Sequence, residues 1–104
     1  MKLSVLLEGL EVLKTTADPE QEITGVSYDS RATAPGDLFV AITGYETDGH
    51  RYIPAAVQKG ASVVLCERAP EGDTPYVQVL STRQALAAVS ANWFGRPADH
   101  MHRF

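Results

Sequence analysis

Pro35-Gly36-Asp37-Leu38-Phe39-Val40-Ala41-Ile42 is a turn followed by five residues with no polar interruption. Proline presets φ for a turn and glycine accepts φ > 0, so the chain reverses here and then runs straight. A strand apolar on both faces belongs in the middle of a sheet covered on both sides, as in α/β folds. The segments on either side fit that reading. Upstream, Glu22 to Tyr28 places Ile23, Val26 and Tyr28 among Thr24 and Ser27, as a half-buried strand would, and Asp29 and Ser30 end it with turn-forming oxygens. Downstream, Gly44 to Gly49 reads as a loop, with Asp48 a candidate N-cap for the helix that follows.

That helix spans Tyr52 to Gly60, with Ile53, Ala56, Val57 and Gly60 inward and Gly60 as its stop. Pro54 is tolerated only in a first turn, which predicts irregular backbone over 49–52. Ala61 to Glu67 is a second central strand, 68–75 a loop, and Tyr76 to Leu80 a short strand. Ser81-Thr82-Arg83-Gln84 fits a capping box opening a helix to about Phe94 that buries Leu86, Val89 and Trp93, stopped by Gly95 and Pro97. At the N-terminus Leu3, Leu6, Leu7 and Leu10 share one helical face, and Glu11 to Thr16 suits a short edge strand. The expected fold is α/β: a single compact domain over residues 1–104, with a small mixed sheet and about three helices.

The 104 residues, 44% hydrophobic and 21% charged, suit one soluble domain able to fold without a disulfide or metal. A net charge of -4, with the arginines scattered, offers no basic face to phosphates, and nucleic acid is set aside as a partner. The apolar start is cut at Glu8, too short for a membrane span or signal peptide, so no membrane partner and a cytoplasmic location are expected. The single Cys66 lies in the apolar run 61–66 and reads as a small buried side chain rather than a reactive thiol.

His50, His100 and His102 lack the spacing and company of a metal site and read as solvated. No G-x-x-x-x-G-K-[ST] phosphate loop and no G-x-S-x-G elbow occurs. What remains is polar chemistry at strand ends: the Ser30 hydroxyl and N–H, the Arg31 cation, and the donors and aromatic face of Tyr45-Glu46-Thr47. These suit a phosphorylated or nucleotide ligand. The purely architectural alternative is as concrete, with Arg31 pairing Asp29 or Asp37, Ser30 capping a turn and Tyr45 covering the sheet end.

The pattern Tyr28-Asp29-Ser30-Arg31, Pro35-Gly36-Asp37-Leu38-Phe39-Val40-Ala41-Ile42, Gly44, Asp48-Gly49-His50, Tyr52-Ile53, Ala55-Ala56 and Lys59-Gly60-Ala61 resembles the N-terminal domain of the Mur ligases. The 48–54 continuation is most similar to the members that add the third residue to UDP-N-acetylmuramoyl-L-alanyl-D-glutamate. The resemblance implies a cytoplasmic, ATP-dependent and Mg²⁺-assisted amide ligase of peptidoglycan precursors, with meso-diaminopimelate or L-lysine as the incoming amino acid. By matched position it implies UDP contacts from Tyr28 and Ser30, an adjacent loop of Tyr45, Glu46 and Thr47, and turn-shaping roles for Asp29 and Arg31. It implies no catalytic residue or cofactor within this stretch, since the family's ATP-binding and C-terminal domains follow the position of Phe104. This chain is accordingly expected to bind UDP-N-acetylmuramoyl-dipeptide, as a monomer, without ligating it. A standalone regulatory or interaction module on the same scaffold is the competing expectation.

Overall fold

A computed structural model describes residues 1–42, 49–70 and 72–94. Five strands form one sheet: β1 (Lys14–Thr15), β2 (Gly25–Ser27), β3 (Asp37–Val40), β4 (Val63–Cys66) and β5 (Tyr76–Gln78). Their spatial order is β1-β5-β4-β3-β2, with β2 to β5 parallel and β1 antiparallel on the β5 edge. Three α-helices, α1 (Leu3–Leu6), α2 (Ile53–Gln58) and α3 (Thr82–Trp93), complete the α/β domain.

The two-residue alternation of strand side chains divides the core into two layers. Leu38 and Val40 of β3, Val63 and Leu65 of β4, and Val77 of β5 join Leu3, Leu6, Ile23, Ala85 and Val89 under α1 and α3. Phe39, Val64, Cys66 and Tyr76 meet Ile53 and Ala56 of α2 on the opposite face. Both faces of β3 and β4 are therefore buried along their whole length, as the apolar run 38–42 required. Each large side chain so buried contributes on the order of 1.5–3 kcal/mol.

Several local readings shift. The N-terminal helix is one turn, Leu3–Leu6; Gly9 takes φ +88, and the Asn92 side chain donates to the Leu6 and Glu8 carbonyls at 2.8 and 2.9 Å. Leu7 and Leu10 still pack against the core from non-helical backbone. In the 22–28 segment Ile23 and Ser27 are buried, while Tyr28 swings out at the strand's end. On α3, Thr82, Ala85 and Val89 are the buried positions, with Leu86 and Trp93 only half-buried. The Ser81 hydroxyl accepts the Gln84 N–H at 3.3 Å, the N-cap that the capping box predicts. Residues 49–52 form a 3-10 turn, with Pro54 in the first turn of α2.

Two glycines are required where they stand. Gly36 takes φ +88 in the turn before β3, and Gly60 takes φ +106 after α2, where a Cβ would lie 2.7 Å from the Pro35 Cα. The Gly60 carbonyl accepts the Gly36 N–H at 3.0 Å, so the end of α2 and the entry to β3 are bound together.

Candidate functional site

Strands β2 and β3 are parallel neighbours with Ser27 opposite Phe39, so both finish at the same edge of the sheet. The carboxyl edge of a parallel sheet is where α/β folds collect ligand-binding loops. Beyond β2 the chain forms a 3-10 turn over Ser30–Ala32, capped by Asp29. Asp29 Oδ1 accepts the Arg31 N–H at 2.9 Å and Arg31 Nε at 3.2 Å, while Oδ2 accepts Nη2 at 3.0 Å. Those side-chain hydrogen bonds, then the backbone one, hold the Asp29 carboxyl below its ordinary range; the same pairing raises Arg31. Arg31 thus pairs with Asp29 rather than Asp37, whose Oδ2 accepts the Ala34 N–H at 2.9 Å. Under the turn, the Thr33 hydroxyl donates to the Asp29 carbonyl at 3.1 Å and lies 3.0 Å from the Ser27 hydroxyl.

Ser30 sits within this frame with only 9% of its surface exposed, more enclosed than a strand-end serine suggests. Its hydroxyl has no hydrogen-bond partner among the described residues. A buried hydroxyl left unpaired is costly, and such a group at a cleft is a natural ligand contact. Tyr28, Asp29, Ser30, Arg31 and Tyr52 line a surface cleft of about 470 Å³. Of the predicted contacts, then, Tyr28 and Ser30 share a hollow. Tyr45, Glu46 and Thr47, like the Asp48 cap, His100 and His102, lie outside the described residues. The residues that flank them are described: the Gly49 N–H donates to the Ile42 carbonyl at 2.7 Å, and a Cβ on Gly49 would meet Ile42 N at 2.6 Å.

Two residues went unrecognised in the sequence. Tyr52, read as a helix start, lines the cleft. His50, read as solvated, is half-buried and accepts the backbone N–H groups of Glu67 and Arg68 through Nε2 at 2.9 and 3.2 Å. Only its place at a loop's end hinted at such a tie. A larger cleft of about 570 Å³ runs along His50, Ile53, Pro54, Val57, Arg68, Ala69, Pro70 and Thr74. Its lining is mostly apolar with polar groups from His50, Arg68 and Thr74, and it includes none of the predicted contact residues.

A family model described as "Mur ligase family, catalytic domain" matches residues 22–94. The chain belongs to the Mur ligase family. A UDP-N-acetylmuramoyl-L-alanyl-D-glutamate–2,6-diaminopimelate ligase of Bacteroides thetaiotaomicron is 43% identical over 102 residues, 95% of this chain and 21% of that protein. The enzyme of the same name from Bacteroides fragilis is also 43% identical, over 105 residues and 97% of the chain. A crystal structure of MurF from Acinetobacter baumannii superposes with a TM-score of 0.78 at 27% identity, over 88% of this chain and 20% of that one. This Mur ligase N-terminal domain thus spans about a fifth of the length of the curated relatives it matches.

The sequence has no phosphate loop, and among the described residues no three His, Cys, Asp or Glu side chains are grouped to hold a metal. Among the described residues no helix is long and apolar enough to cross a membrane.

Proposed function

We propose that this domain holds the uridine diphosphate end of UDP-N-acetylmuramoyl-L-alanyl-D-glutamate for an ATP-dependent, Mg²⁺-assisted ligase that adds the third stem-peptide residue. Ligation is carried out by further domains of a cytoplasmic, monomeric enzyme. The observation that carries this reading is the cleft at the shared end of β2 and β3, where the buried Ser30 hydroxyl has no hydrogen-bond partner among the described residues and Tyr28 stands exposed. A hydroxyl, the Ser30 N–H at the start of the turn and an aromatic face are groups of the kind that meet phosphate oxygens and a base. By the family resemblance alone, Tyr45, Glu46 and Thr47 are further proposed contacts. The relatives' printed names make 2,6-diaminopimelate the amino acid to test first, ahead of L-lysine.

Titration of the chain with UDP and with the UDP-dipeptide tests this reading. Saturable binding is expected, weakened roughly tenfold or more by Ser30→Ala, which removes one hydrogen bond to a charged group of about 1.5–3 kcal/mol. A folded sample that binds neither compound refutes it.

A further inference from the structure

The structure assigns a ligand contact to Tyr52: we propose that its ring is a second aromatic wall of the cleft and packs on the base of the bound nucleoside diphosphate. This rests on the proposed function above and adds to it a residue that selects for the base rather than the phosphates.

Tyr52 reaches the cleft from a different part of the chain than the 28–31 segment. It ends the 3-10 turn Gly49–Tyr52 and caps α2, and α2 packs against the 30–32 turn. Two rigid elements thus fix its Cα beside Ser30. Its side chain remains accessible: Tyr52 is 41% exposed and Tyr28 67%, so the cleft presents two open tyrosines around a buried serine. Single exposed aromatics are common on protein surfaces, whereas two in one concavity with a buried hydroxyl that has no partner among the described residues have the composition of a base-binding site.

Charge at the cleft supports the same division of labour. The Arg31 guanidinium is engaged by Asp29 in a two-pronged pair, so its charge is largely neutralised before a ligand arrives. The Arg51 guanidinium carbon lies 5.9 Å from the centroid of the Tyr52 ring, within cation–π range and close enough to favour one ring orientation. A planar, electron-poor base can share that aromatic surface, with phosphates directed toward the Ser30 hydroxyl.

The test titrates the chain with UDP and records nuclear Overhauser contacts from the uracil H5 and H6 protons to the tyrosine rings. Contacts to the Tyr52 ring are expected. Tyr52→Ala should weaken UDP binding roughly tenfold, the scale of losing one base-stacking aromatic. Tyr52→Phe, which keeps the ring, should stay close to wild type. UDP that binds wild-type protein without contacts to Tyr52, or binds Tyr52→Ala as tightly as wild type, overturns this assignment and leaves the proposed function standing. Equal loss in Tyr52→Phe overturns stacking in favour of the hydroxyl. If wild-type protein binds no UDP, both readings fall. Should Tyr52→Ala not fold, the contacts in wild-type protein and the Tyr52→Phe affinity decide.

Discussion

The imidazole Nε2 of His50 accepts the backbone N–H of Glu67 at 2.9 Å, tying the chain that follows the β3 loop to the end of β4. An accepting Nε2 puts the proton of a neutral ring on Nδ1, so the bond also selects the tautomer. The Arg68 N–H shares the same acceptor at 3.2 Å.

Replacing His50 by alanine removes this acceptor from the partly buried Glu67 N–H and the exposed Arg68 N–H. An unsatisfied buried donor costs about 1–3 kcal/mol, and partial solvent access places His50→Ala near the lower end. Urea denaturation should show a lowered midpoint with unchanged slope. A midpoint equal to wild type would mean that water replaces the ring at no cost.

Glu67 continues the tie into the third helix. Its Oε2 accepts the Thr82 N–H at 2.9 Å and the Thr82 hydroxyl at 3.1 Å, and Thr82 is fully buried. A carboxylate at a helix N-terminus satisfies an orphan donor and complements the helix dipole. Glu67→Ala should therefore cost about 1–3 kcal/mol in thermal or chemical unfolding. Glu67→Gln, which keeps an acceptor oxygen, should recover part of that loss.

Burial pushes the Cys66 thiol up from 9.0 to about 11. Its neutral form is favoured in the folded state, so folding stability from this group is fully present below the unfolded value. It declines as pH rises from about 9 to about 11, because the unfolded chain ionises first. Denaturation midpoints across that window should fall more steeply for wild type than for Cys66→Ala. Under native conditions near neutral pH, thiol reagents should label Cys66 slowly, and unfolding should accelerate labelling.

Gly60→Ala combines a left-handed backbone with a Cβ 2.7 Å from the Pro35 Cα, backbone that cannot rotate away. The conformational cost alone is about 1–2 kcal/mol, and displacing the 35–36 turn adds to it. A loss of roughly 2–4 kcal/mol is expected in equilibrium unfolding, among the larger effects of single substitutions. A shift below 1 kcal/mol would show that the turn entering β3 yields easily.

Local rules reached far into this chain because they depend on neighbours along it. The unbroken apolar run before Ile42 required a strand covered on both faces. Pro54 required the first turn of a helix, Ser81 and Gln84 its cap further on, and the Asp-Ser-Arg tripeptide a strand-ending turn. The family was legible for the same reason, since the matching motif is contiguous. Long-range packing decided what those rules leave open. Asn92 ends α1 after one turn by taking carbonyls that are distant in sequence, and His50 is drawn from solvent by two amides 17 and 18 residues away. Tyr52 joins Ser30 only because α2 folds back across the 30–32 turn. Hydrogen-bond partners and cleft walls are set by proximity in space, and periodicity along a chain carries no record of which distant groups the sheet will bring together.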